Sequence, residues 1–113
     1  MPTDVPVIGE VAELEMICGT VEEFQAEGRR LLFLEKVTLP IGCSPPTLEG
    51  LLCPQERDGY ATRLFLSAPV IGKGTNWTRH RILDREWHTW SWKDVRANQR
   101  LSQILGGHLQ GLR

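Results

Sequence analysis

The chain has 113 residues, 41% of them hydrophobic and 24% charged, which suits one globular domain with a buried core and excludes a disordered chain. Its formal net charge of −1 gives no long-range pull towards nucleic acid or an anionic membrane. No apolar run approaches the roughly 18 residues of a membrane span. The N-terminus lacks the basic segment and apolar run of a secretory signal, so a cytoplasmic protein is expected.

Residues 1–12, with Pro2 and Pro6, read as a flexible tail, too short and proline-broken for a long amphipathic helix. The domain is expected over 13–113. The apolar content of Leu14–Gly19 predicts a first strand, and the polar VEEFQAEG that follows predicts a turn ending at Gly28. Arg30–Leu39 is the strongest strand signal, closed by Pro40. The segment PIGCSPPTLEG is loop by composition. Residues 51–53 predict a short third strand, stopped by Pro54, and Asp58-Gly59 is the pivot of the next turn. Arg63–Ser67 predicts a fourth strand, stopped by Pro69. A closing helix is expected from a cap at Asp94 through Val95, Leu101, Ile104, Leu105 and Leu109, fraying at Gly106-Gly107. The expected fold is α+β: a four-stranded antiparallel meander, a long aromatic loop, then a C-terminal helix packed on the sheet.

Three cysteines without a CxxC pair and without an export signal point to reduced thiols. Cys18 and Cys53 sit in apolar runs, where a buried inert thiol is expected. The spacing does not suit zinc, and no metal or other cofactor is expected.

The densest chemistry lies at His80–Trp92, HRILDREWHTWSW, which holds two of the three histidines and three of the four tryptophans. It reads as an irregular, aromatic-walled loop running into a helix. Trp87 and Trp90, three apart, would share one face of a helical turn, whereas Trp90 and Trp92 would align only in an extended chain. These rings serve either as plugs of a small core or as partner-binding anchors.

Leu39-Pro40, Leu51-Leu52, Pro54, Gly59-Tyr60, His80 and Trp87-His88-Thr89-Trp90-Ser91 stand in an order that resembles the prokaryotic family-E branch of the ubiquitin-conjugating enzyme superfamily. The resemblance spans about 14–109, and its case rests on order and spacing, the W-x-x-W-S piece being the most distinctive. It implies a conjugating-enzyme fold working with a ThiF-like activating enzyme, a ubiquitin-like protein and an associated deconjugating peptidase. In such pathways the C-terminal glycine of the ubiquitin-like protein is activated as an acyl-adenylate, then passed to a nucleophile and onward to an amine.

The sequence also departs from that pattern. No cysteine lies beyond Cys53, so the usual catalytic position is empty, and the His-Pro-Asn motif is missing. Tyr60-Ala61 replaces Tyr-Pro, and Trp92-Lys93 stands where members tend to carry Arg-His. The N-terminal helix of eukaryotic members is not expected here. Two mechanisms remain open. Ser91 could take the acyl group as an oxyester with His88 or His80 as general base, because a serine needs a base within hydrogen-bond reach. A helical turn would bring His88 and Ser91 together, and an extended chain would part them. Alternatively the domain is an adaptor without covalent chemistry, with Asp84, Arg85, Trp87 and Trp90 as partner-binding residues. A third reading, a nucleic-acid module built on Trp77, Arg79, His80, Arg81 and Arg85, is opposed by the overall charge and the acidic N-terminal third.

Overall fold

The structure, a computed structural model, describes residues 9–113. It is an α+β fold with the order α1 (Glu10–Cys18), β1 (Val21–Ala26), β2 (Arg29–Thr38), β3 (Thr47–Cys53), β4 (Arg63–Leu66), β5 (Thr78–Ile82), β6 (Arg85–Thr89) and α2 (Leu101–Leu109), closed by a 3-10 turn at Gln110–Leu112. All pairings are antiparallel, and the six strands run β1-β2-β3-β4-β6-β5 across the sheet.

The expected meander is present as β1 to β4, with differences at its start. Leu14–Gly19 is not a strand: Leu14 and Cys18 lie one helical turn apart in α1 and are fully buried, whereas Met16 and Ile17 face solvent. A short apolar run fits either period, and here the i, i+4 pair found the core. Residues 10–12, assigned to the tail from sequence, open this helix behind its N-cap Gly9, while residues 1–8 of that tail lie outside the described residues. The polar VEEFQA is strand β1 rather than turn, paired along its length with β2. Only Glu27-Gly28 turns, both with positive φ (55° and 74°), the geometry of a two-residue hairpin loop. Asp58-Gly59, also at positive φ, is the pivot expected, between Arg57 and Tyr60.

Both helices pack on one face of the sheet. Leu14 and Cys18 of α1 and Leu101, Ile104 and Leu105 of α2 share a core with Leu32, Leu34, Leu52, Leu64, Leu66 and Trp90. Gly50 of β3 belongs to this face, where an added Cβ would meet a Val37 methyl at 2.6 Å. The opposite face buries Leu31, Leu51, Cys53, Phe65, Ile82 and Trp87. Guanidinium groups roof that face: Arg57 and Arg63 lie 5.5 and 5.9 Å from the Phe65 ring centre, and Arg85 lies 4.5 Å from that of Trp87. Their carbon stems and planar heads cover rings while the charge reaches its partners.

The aromatic loop expected between the meander and the closing helix is instead the hairpin β5–β6, turning at Leu83-Asp84 with φ of 55° and 60°. The closing helix begins at Leu101, seven residues past Asp94, which has φ of 68° and caps nothing. Its start is held by the Arg100 N–H donating to Gln103 Oε1 at 3.0 Å, by the Gln103 N–H donating to the Arg100 carbonyl at 3.0 Å, and by Glu10 of α1, whose Oε1 accepts the Leu101 N–H at 3.1 Å. Gly106 and Gly107 do not fray the helix; a Cβ at Gly107 would sit 3.1 Å from Val95, so the small residue lets the 92–96 segment lie close.

Candidate functional site

In an antiparallel strand, side chains alternate between faces, and this decides where each candidate residue points. His80 pairs with Trp87, so both face the side away from the helices. His88 pairs with Arg79 and Leu66, which places it on the helix face. The two histidines therefore stand on opposite sides of the sheet. His80 packs edge-on to Phe65 at 5.4 Å, and its Nε2 meets Thr78 Oγ1 at 2.9 Å. Burial, then the nearby Arg63 guanidinium, lowers its pKa below the usual histidine value, which keeps it neutral at pH 7.

Ser91 follows the end of β6 and is half-buried. Its N–H donates to the Thr75 carbonyl at 2.9 Å, and its Oγ accepts a long bond from the Tyr60 hydroxyl at 3.5 Å. Among the described residues no hydrogen bond joins Ser91 to His88 or His80. The helical turn that would have paired His88 with Ser91 is absent, because residues 85–89 are strand and the chain beyond is irregular.

The thiols are no substitute. Cys18 is buried and its pKa is pushed up to about 11 by burial; burial likewise raises that of Cys53. The thiolate is the reactive form, so both behave as the inert thiols expected from the sequence. Half-buried Cys43 donates its S–H to the Leu112 carbonyl at 3.5 Å. A thiol-specific aromatic disulfide reagent is expected to label Cys43 first in the native protein, with Cys18 and Cys53 reacting only as the protein unfolds. Equal native rates for all three would contradict this burial pattern.

Trp87 and Trp90 do not share a face. Each is 2% exposed, Trp87 in the arginine-roofed cluster and Trp90 in the helix-side core. As rings they are core plugs. Trp92, 39% exposed, is the tryptophan of this stretch that reaches solvent, and its indole N–H donates to the Gly107 carbonyl at 2.9 Å. Arg85 forms an ion pair with Glu49 while stacking on Trp87, and Asp84 is exposed at the hairpin tip.

Beside Ser91 lies a group not singled out as site residues from the sequence, Tyr60 with Arg63 and Lys93. Tyr60, the single tyrosine, lies between two cations, with Arg63 at 4.1 Å and Lys93 at 5.8 Å from its ring centre. Arg63 is held by Asp58 at 3.1 Å, and Asp58 also lies 3.8 Å from Arg57, whose Nη2 meets Glu27 at 2.7 Å. Beside Tyr60 runs a cleft of about 390 Å³ between the Asp58-Gly59 turn and the 92–96 segment, lined by Thr62, Trp92, Lys93, Asp94 and Arg96 among others. In that lining Lys93 and Arg96 stand against Asp94, which favours a ligand with a carboxylate or carbonyl-rich chain over a cationic one. The one sequence signal was a lone tyrosine directly after a tight turn.

The third histidine is structural. His108 of α2 is 2% exposed and 2.9 Å from Thr62 Oγ1, whose own proton goes to the Val95 carbonyl at 2.8 Å. That leaves the histidine Nε2–H as the donor. Burial first, then Arg63, lowers its pKa to about 4.

No protein-family model, curated protein or solved structure matches the chain. Among the described residues no helix is long and apolar enough to cross a membrane.

Proposed function

We propose that the protein is a ubiquitin-conjugating-enzyme-like component of a cytoplasmic bacterial ubiquitin-like conjugation pathway, working with a ThiF-like activating enzyme. Within that pathway it positions the ubiquitin-like protein's C-terminus instead of carrying it covalently. The element order supports this reading: a helix, a four-stranded antiparallel meander, then a long connection to a closing helix on the same sheet face. On this reading the α1 helix, not expected from the sequence, would correspond to the helix that eukaryotic members present to their activating enzyme.

The observation that favours positioning over carrying is the separation of Ser91 from both histidines, together with buried, protonated thiols at Cys18 and Cys53. A serine whose hydroxyl neighbour is a tyrosine lacks the base that would activate it. The Tyr60–Lys93 cleft is the surface best suited to receive an extended C-terminal tail.

The test is a charging assay with ATP, a cognate activating enzyme and its ubiquitin-like partner, read by intact mass and by binding. Tight binding to the activating enzyme without an adduct is the expected result. A hydroxylamine-labile adduct that survives reductant and vanishes in Ser91→Ala would replace it with an oxyester enzyme. Absence of binding to either partner would overturn the pathway assignment.

A further inference from the structure

Two neighbouring turns repeat the same design. In Pro40-Ile41-Gly42-Cys43 the Cys43 N–H donates to the Pro40 carbonyl at 3.2 Å, and in Val70-Ile71-Gly72-Lys73 the Lys73 N–H donates to the Val70 carbonyl at 3.3 Å. Gly42 and Gly72 have φ of 97° and 80°, so each is a type II turn with glycine where positive φ is required. The tip position before the glycine suits proline or a polar residue. Here both tips are isoleucine, 101% and 92% exposed, the most exposed large apolar side chains among the described residues. The turns are neighbours: a Cβ at Gly42 would lie 3.7 Å from Lys73 Nζ.

Among the described residues the side-chain charge around them is one-sided. No Asp or Glu occurs from Lys36 to Leu48 or from Gly59 to Leu83. The acids flanking the first stretch are engaged, Glu35 by the Thr20 N–H at 2.9 Å and Glu49 by Arg85. Arg113 lines a depression of about 620 Å³ with Pro40, Ile41 and Leu109. Neither Lys73 nor Arg113 has an ion-pair partner among the described residues. The net charge of −1 sets the attraction at long range, but within a screening length of about 8–10 Å the local cations decide.

We propose that the twin isoleucine turns are a docking site for an anionic lipid surface. Ile41 and Ile71 enter the boundary between headgroups and acyl chains, while Lys73 and Arg113 meet the headgroup anions. Convex apolar tips beside cations suit a bilayer interface, which deforms around them without a matching pocket. The inference is independent of the proposed function.

The test is co-sedimentation of the full chain with vesicles of phosphatidylcholine containing about one third phosphatidylserine, and with phosphatidylcholine alone. Reversible binding to the first, weakened by salt, is expected. The double variant Ile41→Ser/Ile71→Ser should lose at least about tenfold in affinity, given the apolar area of two isoleucines, with an unchanged thermal melt because both side chains are solvent-facing. Lys73→Glu should also weaken binding. Absence of wild-type binding, or equal binding by the double variant, overturns the proposal. A concentration-dependent dimer abolished by the double variant, without vesicle binding, would instead make these turns an interface between copies.

Discussion

Trp90→Ala is expected to cost about 3–5 kcal/mol of stability, the range for deleting a buried large aromatic ring. The ring is 2% exposed, packs against Trp77 at 5.1 Å and His108 at 6.5 Å, and joins the sheet to α2. Since small domains hold roughly 5–15 kcal/mol in total, this variant should unfold at much lower denaturant and melt on the order of 15–25 °C earlier. Trp92→Ala removes a partly exposed ring and one hydrogen bond to Gly107, so about 1 kcal/mol is expected. Chemical denaturation followed by circular dichroism measures both. Near-equal losses would mean that the two rings share the burial the structure gives to Trp90.

The second large effect is acid destabilisation through His108. Its folded pKa is about 4, against an unperturbed 6.5, because burial and Arg63 disfavour the charged ring. Above pH 6.5 the ring is neutral in both states and its contribution is fully present. As pH falls from 6.5 to 4 the unfolded chain takes up a proton that the folded chain refuses, so stability falls, by about 3 kcal/mol at pH 4. His80, whose pKa is also lowered, adds a slope of the same sign. Glu13 has a lowered pKa, chiefly through its bonds from Ser102 and Arg100, so its contribution is present above pH 4.5 and lost below. Unfolding free energies at pH 7.5, 6, 5 and 4 for wild type and His108→Gln test this. The variant should be less stable at neutral pH and lose much of the slope between 6.5 and 4. An unchanged slope would place the acid sensitivity elsewhere.

The parts of the fold legible in the sequence are those with a strong local signal. Strands β2 and β4 were read within a residue at each end because apolar and β-branched residues run to a proline stop at Pro40 and Pro69. The third strand was seen only at its buried end, Leu51–Cys53, since its first residues, Thr47–Gly50, look like loop by composition. Around Ser91 the structure gives the candidate residues a geometry that the sequence did not reveal. His80, His88 and Ser91 all lie in one stretch of the sequence, yet β pairing sends the two histidines to opposite faces and gives Ser91 to Tyr60.

What the sequence determined by itself is an α+β chain with a meander, a tight Asp58-Gly59 turn, buried thiols at Cys18 and Cys53, and a closing helix. Each follows from properties carried by a few adjacent residues: positive φ at glycine, the missing N–H of proline, the alternation of apolar side chains. Tertiary structure alone decided that Leu14–Cys18 coils, that VEEFQA and the tryptophan stretch extend, and that Gly106-Gly107 stay helical. A polar or aromatic segment becomes a strand when a neighbour satisfies its backbone hydrogen bonds. A glycine pair stays in a helix when another segment must approach closely, as Val95 does at Gly107. The faces taken by Trp87 and Trp90 follow from the same pairing.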